Sequence, residues 1–357
     1  MRRGTALAAA FLFVITGCGT QVVKATTPTV ANVPAPLGTS LVTAQGTWAI
    51  AVMGGSAASE NNFWQLFVRP AGAGTWRLVT PPAVADNGGL VAAGGAASLL
   101  IGFRPSQGLT FSPLAASAST GKDWTAGLLD ARLANSPDAL AIAANGQELA
   151  LLTDDTIDES TDAGSTWTPL PTLTGQGCGD VTVNAVAFWT NETPVAAGTC
   201  SRPGVAGVFR DTAGTWEQDG PLLPAAFARD QVRVLRLSGT AMLLQAGPAL
   251  LATWWSGTGW ARPVALPLAS GVRASGFGAN GSAWVLLGDG HAEAISGPGG
   301  TWQELPTVPA GTAVLAPGAA YEALAVAGSK LAVWELTGGA WTKVQSITVP
   351  INYGSSS

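Results

Sequence analysis

One histidine, His291, two tyrosines and three cysteines are spread over 357 residues. A single histidine excludes a multi-histidine metal centre and argues against a Ser-His-Asp triad. Carboxylates offer more. Asp154 and Asp155 are adjacent, with Asp158 and Glu159 just beyond, in a chain that is only 11% charged. Such a group suits a cation or a basic partner, although its spacing is not that of an EF-hand loop. A solvated hairpin tip accounts for the same residues. Asp289 and His291 flank a short turn, where a lone histidine is more commonly structural or solvated than catalytic. Arg229, Arg233 and Arg236 are the nearest approach to a cationic group. Three residues apart on a regular strand, Arg233 and Arg236 point to opposite faces. The chain contains no Walker-type glycine loop, zinc spacing or nucleophile elbow, so no cofactor and no metal are expected.

The balance of 17 basic and 22 acidic residues gives a net charge of −5 without any basic block, which argues against nucleic acid as a partner. With 47% hydrophobic residues the chain can build a core. Its 46 Gly and 14 dispersed Trp indicate many turns and a recurring unit.

The first 17 residues read as an export signal. Arg2 and Arg3 precede an apolar run, Ala6 to Ile15, too short to span a bilayer. The text Ile15-Thr16-Gly17-Cys18 resembles the bacterial lipobox. That resemblance implies cleavage before Cys18 and lipid on its thiol and new amino group; an ordinary secretory signal is the competing reading. Residues 18–38 then form a Thr/Pro-rich tether, and 352–357 a frayed tail. The expected location is the outer side of the cell membrane, held through Cys18. Cys178 and Cys200 remain as an even pair in an oxidising compartment, which suits a disulfide. Two buried free thiols are the alternative.

Between these ends the chain repeats. Trp76, Trp124, Trp167, Trp216, Trp260, Trp302 and Trp341 recur at intervals of 39 to 49 residues, most of them after a glycine and a small residue. Each interval holds short apolar runs separated by turn residues, with no stretch of helical periodicity. Seven such units over residues 39–351 predict an all-β, seven-bladed β-propeller of four-stranded antiparallel blades. A ring of six or eight blades, or a pair of sandwiches, is the alternative. In the third unit the expected strands are Ala139–Ala143, Glu148–Thr153, Thr156–Ser160 and Thr166–Leu170.

One turn matches a known pattern at every position. Ser160, Asp162, Gly164, Thr166 and Trp167 fit Ser-x-Asp-x-Gly-x-Thr-Trp, and Ser117 to Trp124 is a degenerate copy with Ser119 in place of the aspartate. This resembles the Asp-box of sialidases, sortilin-type receptors and Ycf48-type photosystem assembly factors. The resemblance implies a structural turn between third and fourth strands, with function on the opposite face. On that model the opposite face carries Asp154, Asp155, Asp289, His291, both body cysteines, and the long loop leading to Trp64. Trp64 suits either partner binding or seam packing.

Sialidase chemistry needs an arginine cluster and a tyrosine nucleophile with a glutamate partner. Here Tyr321 precedes Glu322, but adjacent strand residues point to opposite faces. The expected function is a non-enzymatic, monomeric, lipid-anchored scaffold that binds an envelope protein or glycan. A divergent glycoside hydrolase and a Ycf48-like assembly factor are the alternatives.

Overall fold

A computed structural model describes residues 39–54, 62–81, 90–94, 99–103, 113–117, 120–128, 137–152, 155–162, 164–174, 177–189, 192–278 and 281–350. Cys18, the segments 1–17, 18–38 and 352–357, and Asp154 lie outside the described residues. The described chain folds into seven antiparallel sheets of four strands. The blades span 39–78, 90–128, 137–169, 181–218, 232–267, 272–304 and 312–348. The third blade contains Pro137–Ile142, Glu148–Leu152, Ile157–Ser160 and Thr168–Pro169, within two residues of the sequence expectation at every strand boundary. Apart from the single 3-10 turn Ala225–Phe227, no helix occurs among the described residues. First strands of successive blades lie against one another around the ring axis.

Why these segments form blades follows from where their side chains go. Both faces of each second strand are covered by neighbouring blades, so these strands are mostly apolar, and even Glu148 and Glu322 at two strand starts are buried; Glu148–Leu152 and Ala283–Leu287 are buried at every position. Core clusters sit in the seams. Leu149, Ile157, Val186 and Phe209 fill the seam between blades three and four, and Leu243, Trp254, Ala283 and Val285 that between five and six.

The recurring tryptophans pin the outer rim. The indole N–H of Trp216 donates to Pro171 O at 2.7 Å, Trp260 to Asp219 O at 2.7 Å, Trp302 to Val264 O at 3.3 Å and Trp341 to Pro306 O at 3.0 Å. Each acceptor belongs to the outer edge of the preceding blade. These tryptophans therefore reach backward around the ring. The inner rim is stitched forward: Asn184 Nδ2 donates to Val234 O at 2.6 Å, and Arg273 Nη2 to Thr312 O at 2.6 Å, each on the next blade.

No strand is shared between first and last blades among the described residues, because each sheet takes four consecutive strands. The ring closes through side chains instead. Ala49 and Phe67 of blade one share one apolar cluster with Val314 and Leu324 of blade seven and with Trp284 and Leu286 of blade six. Within this seam Glu322, buried on blade seven, accepts from Trp76 Nε1 at 3.1 Å and pairs with Arg69 Nη1 at 2.6 Å. Gln345 accepts from Trp76 N at 2.8 Å and donates to Trp76 O at 2.7 Å. Gln345→Ala removes both backbone contacts and is expected to destabilise the fold by about 1–3 kcal/mol. A substitution at exposed Val344 should stay within about 0.5 kcal/mol. Urea denaturation midpoints of the two variants check this.

Candidate functional site

Strand direction sorts the connections between two faces. Third-to-fourth and first-to-second strand turns lie on one face; second-to-third strand loops and blade-to-blade connections lie on the other. The second face holds the disulfide. Cys178 and Cys200 are bonded, buried, and 5.1 Å apart between Cα atoms. Val181 pairs with Cys200 across the first two strands of blade four, which brings the preceding Cys178 alongside. Arg202 N donates to Cys178 O at 3.0 Å, so the bond fixes the approach to the blade. The closed loop of 22 residues is of a length that contributes about 3 kcal/mol through the unfolded chain.

Asp155 lies on this face, exposed, with a left-handed φ of 62° in the loop between second and third strands of blade three. Asp289 and His291 occupy the equivalent loop of blade six. His291 N donates to Asp289 Oδ1 at 3.0 Å, and His291 Nδ1 lies 2.9 Å from Glu304 Oε1. The hydrogen bond to Glu304, and the charge of Asp289, raise the His291 pKa. Hydrogen bonds from the His291 backbone lower that of Asp289. Blades four and five separate this group from Asp155, so the candidate residues form two sites rather than one. Among the described residues no three His, Cys, Asp or Glu side chains are arranged to hold a metal ion.

Trp64 does not belong to an exposed surface. It is 5% exposed and packs with Trp48, Leu66, Leu99 and Ile101 in the seam between blades one and two. The long loop suggested exposure, but the third strand begins at Asn62, and the pleat sends Trp64 to the same face as Leu66 and Val68. The arginine expectation also changes. Val234 pairs with Leu244 and Arg236 with Leu243, so Leu235 is a bulge. Arg233 pairs with Gln245, two residues from Leu243, and the bulge therefore places Arg233 and Arg236 on the same side. Glu322, beside Tyr321, is engaged by Arg69 and Trp76 in ring closure. Burial pushes the Glu322 pKa up, while the Arg69 charge opposes the rise.

On the other face, Asp162 closes the turn of blade three. Its Oδ1 accepts from Thr166 N at 2.8 Å and its Oδ2 from Thr166 Oγ1 at 2.7 Å. Ser160 Oγ accepts from Gly164 N at 2.9 Å, and Trp167 Nε1 donates to Gly164 O at 3.2 Å. The hydrogen bonds from Thr166 hold the Asp162 carboxyl below its ordinary range. Gly164 has φ of 80°, a left-handed conformation that favours glycine, and it lies close against Glu148 Oε2. In the second blade Ser117 Oγ keeps the equivalent bond from Gly121 N at 3.0 Å.

Two features had no sequence signal strong enough to single them out. Leu222, in the connection from blade four to blade five, is 92% exposed. Beside it runs a groove of about 590 Å³, lined by Asp219, Pro221, Leu223, Trp260 and Arg262. The Pro221–Pro224 bracket around two leucines was the available hint. Glu148 is the second, buried beneath the blade-three turn with Oε2 unbonded.

No protein-family model and no curated protein matches the chain. Among solved structures it is similar to YCF48 bound to a D1 peptide, with 16% identity, 76% of this chain and 81% of that chain covered, and a TM-score of 0.47. It is also similar to YCF48 from Cyanidioschyzon merolae, with 15% identity, 91% and 98% coverage, and a TM-score of 0.46.

Burial, and then the charge of Asp162, push the Glu148 pKa from 4.5 to about 7. The folded state thus holds this proton more tightly than the unfolded state. Glu148 is expected to cost up to about 3 kcal/mol of stability as pH rises from 4.5 to 7. Glu148→Gln should remove that fall, as read from urea midpoints across this range. The one histidine gives a clean second test. Its NMR titration midpoint should lie above 6.5 and drop in Glu304→Gln.

Proposed function

We propose that the protein is a lipid-anchored propeller on the outer side of the cell membrane, and that it binds another envelope protein. The lipobox-like Ile15-Thr16-Gly17-Cys18 supports the anchor, and the turn held by Ser160, Asp162, Gly164, Thr166 and Trp167 supports its reading as an Asp-box. On this reading the Asp-box is a folding device, and recognition belongs to loops and blade connections.

One observation carries the protein-binding reading. Leu222 is 92% exposed beside a groove of about 590 Å³ that combines Pro221, Leu223 and Trp260 with the charges of Asp219 and Arg262. A large apolar side chain presented to water next to an aromatic wall and a charged rim is the composition of a protein contact. The connection is held by the bond from Trp260 Nε1 to Asp219 O and by that from Gly204 N to Asp230 O, which keeps such a surface preformed and lowers the ordering cost of association. Asp155 and the Asp289–His291 pair lie on the face of the blade-to-blade connections, to which Leu222 belongs, while Trp260 and Arg262 reach the groove from the third-to-fourth strand connection of blade five. A monomer presenting this face from a tether is the arrangement we favour.

Crosslinking in native membranes tests the proposal. The unaltered protein should capture a discrete envelope protein. Leu222→Asp should abolish that capture, and an Asp155→Ala, Asp289→Ala double variant should weaken it. Capture that is indifferent to Leu222→Asp, or no discrete partner with any version, contradicts the reading.

A further inference from the structure

On the face of the first-to-second and third-to-fourth strand turns, the seam between blades four and five ends in three tryptophans. Trp189 follows the first strand of blade four, Val181–Phe188. Trp255 follows the third strand of blade five, Ala249–Trp254, and Trp260 stands before its fourth, Val264–Pro267. The ring centroids of Trp189 and Trp255 are 4.2 Å apart, those of Trp255 and Trp260 5.7 Å, and those of Trp189 and Trp260 6.3 Å. Trp189 is buried, whereas Trp255 and Trp260 are half-buried and keep part of their rings in water. One donor is left over: Trp189 Nε1 is buried without a hydrogen-bond partner among the described residues. A buried N–H in that state costs stability, and a purely apolar ring would carry no such cost. Seam packing alone therefore does not account for three indoles gathered at this spot.

The hairpin between the two half-buried rings adds hydroxyls and no charge. Trp255 and Trp260 pair across its base, and Ser256, Gly257, Thr258 and Gly259 form its tip. Ser256 Oγ donates to Gly259 O at 2.7 Å and lies 3.4 Å from Thr258 Oγ1. A Cβ at Gly257 or Gly259 would meet nothing within 4 Å, so the space around the tip is open. The nearest cation to Trp189, Arg210 at 5.3 Å over its ring, is matched by Glu217 and Asp219. Indole edged by hydroxyls is a different surface from the groove at Leu222, which combines aliphatic side chains with Arg262. A pyranose ring matches it. The C–H groups on one side of the sugar form an apolar patch that stacks on an aromatic face, while its hydroxyls exchange hydrogen bonds with serine and threonine.

We propose that Trp255, Trp260 and the hairpin tip carrying Ser256 and Thr258 form a binding site for a neutral oligosaccharide, with Trp189 as the rigid base beneath them. Trp260 also walls the groove at Leu222, but Trp255 does not, so the site does not depend on partner docking in that groove.

The test titrates the full chain in detergent with chitotetraose, cellotetraose and mannotetraose by calorimetry. Saturable binding of at least one tetrasaccharide is expected, and it should be insensitive to added salt, because no ion pair forms. Trp255→Ala should weaken it about tenfold, and Trp255→Tyr less, since the phenol keeps a ring to stack on. Thr258→Ala, at an exposed position, should weaken it about threefold, and Leu222→Asp should leave it unchanged. Thermal melts confirm that each variant is folded. Absence of saturable binding by all three sugars overturns the proposal, as does binding that Trp255→Ala and Thr258→Ala leave unchanged, or that falls steeply with salt. Loss of envelope-protein capture in Trp255→Ala without any saccharide binding would assign the cluster to protein docking and overturn it equally. Failure here with Leu222-dependent capture intact removes this site alone, and the reverse outcome removes only the docking proposal.

Discussion

Six of the seven seams join blades that follow one another along the chain, and the seventh does not. Blade one and blade seven are brought together at the far ends of the fold, with no strand in common among the described residues. Closing that gap confines the whole chain, and non-covalent contact alone must offset the loss of freedom. Glu322 is the centre of the solution. One buried carboxylate receives the Trp76 indole and the Arg69 guanidinium, and Arg69 in turn lies 5.6 Å over the Trp76 ring. A buried ion pair of this kind is not a large net source of stability, because desolvation offsets much of its attraction. Its value lies in specificity: Arg69 and Trp76 find their partners only when blade one is seated against blade seven. Apolar burial with Phe67, Leu324 and Trp284 supplies the larger driving force.

Four of the remaining seams, from blade three to blade seven, repeat the logic in simpler form. A tryptophan donates backward at the outer rim of each, and at the inner rim Asn184 and Arg273 donate forward to the next blade. Each bond contributes about 1 kcal/mol, but together they set the angle between sheets that apolar packing alone leaves loose. The disulfide at Cys178 and Cys200 fixes one blade entrance on the loop face. Loops carried on such a frame are presented without an ordering cost of their own, which suits recognition better than it suits a mobile lid.

The sequence displays the fold through its tryptophans and its turn residues. Spacing in the forties and short glycine-bounded apolar runs led to seven four-stranded blades, because both signals come from local chemistry repeated many times. The pairing of Val181 with Cys200 was legible for the same reason: a hairpin register follows from strand lengths and turn position. Less legible were features decided across the ring. Trp64 sat next to a long loop, yet the pleat of its strand buries it. Arg233 and Arg236 have the spacing of residues that diverge, and one bulged residue, Leu235, makes them converge. The exposure of Leu222 depends on what its neighbours leave uncovered, and the partner of Glu322 lies 253 residues away at Arg69. No periodicity carries such information.

Closure by side chains makes the ring one cooperative unit whose weakest join is shared by every blade. Native-state hydrogen exchange with Glu322→Ala beside the unaltered protein measures this directly. Amides in the second strands of all seven blades, from Gly46–Gly54 to Glu322–Ala327, are predicted to lose protection together and by similar amounts. Loss confined to blades one and seven, with blades three to five unchanged, would contradict closure as the constraint that the whole fold depends on.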